Sequence, residues 1–310
     1  MASSTASTEA FKPPERVGFV GLGNMGSPMA RLIARAGYQV VAADASAEAV
    51  ERFAASIPCE RAESLKSLGS SCRVVITMLP DGKVVREVLL GANGVATALA
   101  AGSVLIDMRS ASPVGTRELS AELGKRGIPL VDAPVSGGVK KAIDGTLAIM
   151  VGGDPEPVSR VRPLLEVMGK VFPTGACGSG HAMKSLNNFL SAANLAVAAE
   201  AVIAGQRFGL DPANMIAILN ASTGRNTGTD SKYPNNVLPR TFNSGFALGL
   251  MAKDLRLALE VARASDAPAG LLEACARIWE QAERQLGGKA DNTEVVKYLE
   301  SLVPPEKRNG

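Results

Sequence analysis

The stretch Val17-Gly18-Phe19-Val20-Gly21-Leu22-Gly23-Asn24-Met25-Gly26 decides the fold of this chain. It places a G-x-G-x-x-G pattern after a short apolar run and before a helical pattern over residues 25–36. The first glycine permits a tight turn, the second lets a pyrophosphate approach the backbone, and the third allows the helix to pack closely. The pattern therefore predicts a dinucleotide-binding turn, formed by Gly21, Leu22, Gly23, Asn24, Met25 and Gly26.

A carboxylate follows the next predicted strand, residues 39–43. Asp44 stands at the distance from the glycine turn at which such folds bind the adenosine ribose. It can accept hydrogen bonds from a free 2′-hydroxyl and would repel a 2′-phosphate, and neither Ala45 nor Ser46 can neutralise a phosphate. The sequence therefore predicts NAD rather than NADP as cofactor. The alternative is that Asp44 caps the helix that follows.

Composition narrows the class of protein. The chain has 310 residues, 46% of them hydrophobic, which is ample for a sizeable core. A net charge of +3 with dispersed Lys and Arg predicts no nucleic-acid partner. Four scattered cysteines and a single histidine, His181, predict no metal site and favour a reducing, cytoplasmic location.

The ends of the chain and its apolar runs bear on targeting. No uninterrupted apolar run reaches the length of a membrane span, so we expect no membrane partner. Residues 1–15 lack the pattern of a signal peptide and are poor in core-forming side chains. We therefore expect them to form a disordered tail outside the fold.

Two domains are expected after that tail. Over residues 16–178 short apolar runs alternate with helical patterns, which predicts a Rossmann-type, doubly wound parallel α/β sheet. Glycines at 175–180 interrupt the pattern, and residues 179–305 predict an all-α C-terminal domain. The later strand candidates are 74–78, 103–106, 128–131 and 147–151, and the later helix candidates are 181–208, 212–220, 250–264, 268–285 and 293–302.

The predicted helix over residues 181–208 carries Ala, Leu, Val and Ile on all its faces. Such a helix must be buried all round, either within the second domain or against a second subunit. This pattern favours a homodimer or homotetramer.

Polar groups follow several predicted strands, where open α/β sheets bind ligands. Ser136, Gly137 and Gly138 present a hydroxyl and unobstructed amides that suit a substrate carboxylate, although they could form only a tight loop. At the start of the helical domain, Lys184 is followed on one helix face by Asn187 and Asn188. A desolvated lysine can act as a general acid or base, whereas a solvated surface lysine is the alternative. His181 reads as a polar residue of the helix start rather than a catalytic one.

With these motifs the chain resembles the β-hydroxyacid dehydrogenase family, of the 3-hydroxyisobutyrate dehydrogenase and tartronate semialdehyde reductase type. Four motifs match in order and spacing: the glycine turn continuing to Ala30, residues 132–138, residues 178–188, and Lys253-Asp254-Leu255. The resemblance implies NAD-dependent interconversion of a small β-hydroxy acid and its semialdehyde or keto acid by hydride transfer.

The resemblance also implies residue roles. Lys184 corresponds to the catalytic lysine, with Asn188, or alternatively Asn187, bonding the reacting oxygen or the carboxylate. The matching substrate positions are Ser136, Gly137 and Gly138, and the matching cofactor positions are Leu79, Pro80, Ser110 and Lys253. One departure is that the chain reads Met108-Arg109-Ser110 where many members have a Ser or Thr pair after this strand, which leaves open which hydroxyl contacts the nicotinamide.

Two rival functions are less well supported. A decarboxylating dehydrogenase similar to 6-phosphogluconate dehydrogenase would be longer and would bind a sugar phosphate with more basic residues than Arg225 alone. A non-catalytic module that binds a dinucleotide and a partner would not need Lys184.

Overall fold

The computed structural model describes residues 9–304. These residues form two compact units, the first ending at Lys184 and the second beginning at Ser185. The division falls a few residues after the boundary expected at residue 178, within one continuous helix. We describe each unit by itself.

The first unit is a nine-stranded sheet wrapped by helices. The strands are β1 Arg16–Val20, β2 Gln39–Ala43, β3 Glu60–Arg61, β4 Val74–Thr77, β5 Val104–Asp107, β6 Leu130–Asp132, β7 Val135–Ser136, β8 Leu147–Gly152 and β9 Gly169–Gly175. The helices are α1 Gly26–Arg35, α2 Ala47–Ala54, α3 Leu65–Ser71, α4 Gly82–Leu90, α5 Pro113–Gly124, α6 Gly138–Asp144, α7 Pro155–Glu166 and the start of α8 Ser179–Arg207, with a 3₁₀ turn at Val95–Thr97.

The sheet has the strand order β3-β2-β1-β4-β5-β6-β8-β7, with β9 beside β8. Strands β3 to β6 along this path are parallel, whereas β8 runs antiparallel to both β6 and β7. The winding reverses between β1 and β4, which creates the crevice where doubly wound sheets bind ligands. The prediction of a mostly parallel, Rossmann-type sheet is confirmed.

Three strands were not predicted from the sequence. Both β3 and β7 contain two residues, which is too short for an alternation to register. Strand β9 lies at the sheet edge with most of its residues exposed or half-buried and contains Pro173, which weakens a strand signal.

The segment before β1 belongs to the fold. Phe11 has no exposed surface, its N–H donates to the carbonyl of Arg160 at 2.9 Å, and its carbonyl accepts from the hydroxyl of Tyr38 at 3.1 Å. The guanidinium of Arg160 stacks 4.6 Å from the Phe11 ring centroid. The expected tail is therefore wrong for residues 9–15, because one aromatic side chain anchors a segment of otherwise polar composition. Residues 1–8 lie outside the described range.

The second unit is helical, as predicted. Apart from one isolated bridge between Ala247 and Asp291, its described residues form no strand pairing. A π-helix, which periodicity did not predict, joins α9 to α10. The elements are the remainder of α8, α9 Pro212–Asn220, the π-helix Gly228–Val237, α10 Leu248–Ala264, α11 Gly270–Leu286, a 3₁₀ turn Asn292–Glu294 and α12 Val295–Ser301.

Helix α8 is only partly covered by its own chain. Ala192, Leu195 and Ala199 are buried in the core of the second unit, whereas Leu190 and Val197 are 58% and 63% exposed. Complete burial within one chain is therefore not observed. In length and mean hydropathy α8 alone, among the described helices, could cross a membrane, but a core helix of a soluble protein passes the same test.

Candidate active site

The glycine turn has the geometry that its sequence predicts. Gly21 has a φ of +102°, and a Cβ at Gly21 would overlap the carbonyl of Met78, just as a Cβ at Gly26 would overlap the carbonyl of Gly21. A Cβ on Gly23 would meet no atom within 4 Å. Two glycines are therefore required by packing, and the open space at Gly23 leaves room for a phosphate at the N-terminus of α1.

Asp44 lies directly against this turn. Its Oδ2 accepts the N–H of Leu22 at 2.6 Å, and its Oδ1 accepts the N–H of Ser46 at 2.8 Å. The N-cap of α2 is Ser46, whose hydroxyl accepts the N–H of Ala49 at 3.2 Å. The capping alternative for Asp44 is therefore wrong, and the carboxylate sits beside the turn that would hold the cofactor.

The loops after β4 and β5 border the same edge of the sheet. Leu79 and Pro80 follow β4 and are half-buried and exposed, respectively. Asp81 then caps α4 by accepting the N–H groups of Lys83 and Val84 at 2.9 and 3.0 Å, and these bonds hold the pKa of Asp81 below its ordinary value. Ser110, after β5, is half-buried.

A buried polar cluster, which sequence reasoning missed, lies at the ends of β5 and β6. Asp107 and Asp132 are paired in register on these neighbouring strands, and both are almost fully buried. Arg109 donates from Nε to Asp107 Oδ2 at 2.9 Å, whereas Asp132 accepts the N–H groups of Gly178 and His181 at 2.7 and 2.8 Å. Each carboxylate is thus compensated, one by a guanidinium and one by the first turn of α8.

His181 completes this cluster. Its Nδ1 lies 2.7 Å from the hydroxyl of Thr116, which itself donates to the carbonyl of Ser112 at 2.8 Å. The ring therefore donates from Nδ1, and Nε2 has no hydrogen-bond partner among the described residues. Burial holds the pKa of His181 below its ordinary value, so the ring is neutral near pH 7.

Lys184 follows one turn later on α8. Its side chain is buried, at 8% exposure for the residue, which contradicts the alternative of a solvated surface lysine. A lysine shielded from bulk water in this way is a candidate general acid or base.

In the second unit, Asn188 is the buried member of the asparagine pair. It donates from Nδ2 to Asp254 Oδ2 at 2.5 Å, whereas half-buried Asn187 donates to the side-chain oxygen of Asn188 at 3.1 Å. Lys253 Nζ lies 3.6 Å from the other oxygen of Asp254. The partnership with Asp254 could not be read from the sequence, because it joins residues far apart in the chain.

Of the remaining predicted residues, Ser136 is half-buried, whereas Gly137, Gly138 and Arg225 are exposed. Ser136 ends β7, and Gly137 and Gly138 follow with φ angles of +134° and +70° that favour glycine. Both glycines are exposed, so their backbone is accessible, although a tight turn alone would show the same dihedral angles. Arg225 forms an exposed ion pair with Asp230 at 3.1 Å.

The glycine turn, Asp44 and the switch point between β1 and β4 define a dinucleotide-binding α/β protein with a helical second domain. Residues 16–179 match the family model described as the NAD binding domain of 6-phosphogluconate dehydrogenase. Residues 178–299 match the family described as NAD-binding of NADP-dependent 3-hydroxyisobutyrate dehydrogenase. The chain belongs to the β-hydroxyacid dehydrogenase family and is an NAD(P)-dependent dehydrogenase of that family.

The alignments with similar proteins extend over almost the whole chain. It is 35% identical to 2-(hydroxymethyl)glutarate dehydrogenase of Eubacterium barkeri, over 93% of this chain and 96% of that protein. It is 37% identical to mitochondrial 3-hydroxyisobutyrate dehydrogenase of Mus musculus, over 98% of this chain and 92% of that protein. A solved structure of Mycobacterium tuberculosis 3-hydroxyisobutyrate dehydrogenase with L-serine matches with a TM-score of 0.85 at 34% identity, covering 92% of this chain and 99% of that one.

Proposed function

We propose that this enzyme interconverts a small β-hydroxy acid and its semialdehyde or keto acid, in the manner of 3-hydroxyisobutyrate dehydrogenase, with Lys184 as general acid and base. The observation that carries this proposal is the burial of Lys184 one turn after His181, near the start of α8. Tartronate semialdehyde reductase activity is the second candidate, supported by 34% identity to 2-hydroxy-3-oxopropionate reductase of Escherichia coli.

NAD supplies a nicotinamide C4 that accepts or returns hydride when bound. The protein moves the proton. In oxidation the neutral amine of Lys184 takes the proton of the substrate hydroxyl, and in reduction its ammonium returns that proton and stabilises negative charge developing on the oxygen. Asn188 is a stronger candidate than Asn187 for the hydrogen bond to the reacting oxygen or the carboxylate, because the hydrogen bond to Asp254 fixes the side-chain amide of Asn188.

The cofactor would lie across the glycine turn. The open space at Gly23 and the N-terminus of α1 suit a pyrophosphate, and Asp44 beside Leu22 suits a free ribose hydroxyl, so NAD is preferred over NADP. The whole set of cofactor residues proposed is Gly21, Leu22, Gly23, Asn24, Met25, Gly26, Asp44, Leu79, Pro80, Ser110 and Lys253.

The substrate carboxylate would be bound by Ser136, Gly137 and Gly138. The Ser136 hydroxyl and the accessible backbone of two glycines provide neutral donors for an anion. Relatives named for small hydroxy acids, and the L-serine in the Mycobacterium tuberculosis structure, support a ligand of this size.

The enzyme is proposed to act as a homodimer or homotetramer in the cytoplasm. Leu190, Val197 and Phe208 are 58%, 63% and 88% exposed, and the first two are one heptad apart on α8. A second copy would cover such an apolar stripe.

The cytoplasmic location is supported by the cysteines. All four cysteines of the chain are free thiols, which is typical of proteins in a reducing compartment. We propose that the enzyme has no nucleic-acid, membrane or metal partner.

A substrate screen and one variant test this function together. Hydroxyisobutyrate, hydroxypropionate, glycerate, threonate and serine are offered with NAD while NADH absorbance is followed. On the best substrate, Lys184→Ala should lower turnover roughly a hundredfold to ten-thousandfold, with little change in NADH affinity. Lys170→Ala, at an exposed lysine on β9 of the same unit, is the control. Near-native turnover of Lys184→Ala would exclude the proposed role.

A further inference from the structure

The two halves of a dinucleotide bind different strands of a doubly wound sheet. The adenosine ribose lies beside the carboxylate after β2, which is Asp44 here, and the pyrophosphate crosses at the switch point. The switch point lies between β1 and β4. The nicotinamide half is therefore directed over the loops that follow β4 and β5.

The loop after β4, residues 78–81, together with Gly82 at the start of α4, packs on one side against the end of β1 and the glycine turn. The N–H of Met78 donates to the carbonyl of Val20 at 2.9 Å, and the carbonyl of Met78 lies against Gly21 so closely that no Cβ would fit there. A shift of this loop would therefore alter the floor of the crevice directly.

Arg109 lies on the other side of that loop. Its Nη2 is 3.5 Å from the point where a Cβ on Gly82 would stand, and its charge contributes to the lowered pKa of Asp81. The guanidinium is aimed there by its bond to Asp107 Oδ2, while Asp107 Oδ1 is 3.3 Å from the hydroxyl of Thr77, the last residue of β4. The Arg109 guanidinium is thus held from the end of β5 and lies against the segment after β4.

We propose that Arg109 is a positioning residue for the nicotinamide half of the cofactor. It holds residues 79–82 in place from the β5 side, so that this loop is already ordered when the dinucleotide binds. The assignment rests on the proposed placement of the cofactor across the glycine turn. A preformed loop avoids the loss of backbone entropy that an unbraced loop would incur on binding.

A purely structural ion pair would make a different prediction. A buried arginine that only stabilised the fold would affect every ligand of the domain alike, whereas a brace under one half of the site should affect only ligands that reach that half. NADH spans both halves, and ADP spans only the adenosine and phosphate half. The ratio of their dissociation constants therefore separates the two roles.

The test compares Arg109→Met with Arg160→Met. Arg160 is buried in the same unit, at 3% exposure, and donates to the carbonyl of Gly102 at 3.0 Å, before the start of β5 and away from the crevice. NADH binding is followed by fluorescence and ADP binding by its displacement of NADH. Arg109→Met should raise the NADH dissociation constant about tenfold and that of ADP less than twofold, whereas Arg160→Met should leave the ratio unchanged.

A second variant guards against misfolding. If Arg109→Met does not fold, because Asp107 is left buried and unpaired, the double variant Asp107→Asn with Arg109→Met removes that charge and should show the same selective loss. Equal weakening of both ligands, or no weakening, would overturn the role of Arg109. Failure of the unaltered enzyme to bind NADH would overturn the cofactor placement itself.

Discussion

Replacing Gly26 or Gly23 of the glycine turn by alanine should affect different properties. The first substitution should lower thermal stability, and the second should weaken NADH binding. In Gly26→Ala the new methyl group overlaps the carbonyl of Gly21, so either α1 or the turn must move. Overpacking of this kind costs about 1–3 kcal/mol. In a unit of this size each kcal/mol lowers Tm by about 2–4 °C, so we expect a fall of several degrees.

In Gly23→Ala the methyl group meets no atom within 4 Å. The free protein should therefore be as stable as the unaltered one, or more stable by about 0.4–1 kcal/mol, because alanine restricts the unfolded chain. The methyl group fills the space through which the pyrophosphate approaches. Losing one charge-assisted hydrogen bond there costs about 1.5–3 kcal/mol, or roughly a tenfold to 150-fold rise in the NADH dissociation constant.

Circular dichroism melts without cofactor and NADH fluorescence titrations measure both effects. Gly124→Ala is the control, because a Cβ at Gly124 also meets no atom within 4 Å and lies at the end of α5. It should raise Tm by no more than about 4 °C and should leave the NADH dissociation constant unchanged. The reasoning is refuted if Gly23→Ala binds NADH as tightly as the unaltered protein, or if Gly26→Ala melts at the unaltered temperature.

Three further outcomes are expected. Asp44→Ala should narrow the preference for NAD over NADP in kcat/KM roughly tenfold to a hundredfold, since it removes the charge that repels a 2′-phosphate; an unchanged ratio would exclude that role. Leu190→Glu with Val197→Glu should shift light scattering towards the monomer mass, whereas Ile218→Glu, at an exposed site on α9, should not. Burial lowers the pKa of the Lys232 ammonium group to about 8. Between that pH and the ordinary pKa of 10.5, the unfolded chain binds more protons than the folded chain, so the free energy of unfolding rises with pH. In urea melts from pH 7 to 10.5, any stability advantage of Lys232→Met should therefore shrink as pH rises, and a constant difference would contradict the burial of an ammonium group.

The strongest sequence predictions concerned features made of neighbouring residues. The strand, glycine turn and helix from Arg16 to Arg35 are contiguous, and their periodicity and glycine spacing express the geometry directly. Helix α9 was predicted with its observed bounds, because Asp211 caps it and Pro212 opens it. By contrast, β3 and β7 form only because a neighbouring strand offers hydrogen bonds, and two residues carry no pattern.

The π-helix Gly228–Val237 shows the same limit. Asn226 accepts the N–H groups of Gly228 and Thr229 at 2.8 and 3.2 Å, and Lys232 donates to Asn292 at 2.7 Å. The last of these bonds joins the π-helix to an acceptor far along the chain. Local propensity cannot anticipate such a partner.

For the candidate site, the sequence by itself determined the chemical inventory: the glycine turn, the carboxylate after β2, and Lys184 with Asn188 one turn later. These features depend on residue type and short spacing. Only the tertiary structure decided that Lys184 is buried, that Asp132 binds the first turn of α8, that Asn188 is paired with Asp254, and that Arg109 is aimed by Asp107. The physical reason is that burial and charge pairing depend on which strands and helices become neighbours, and that is settled by packing over the whole chain rather than by any local pattern.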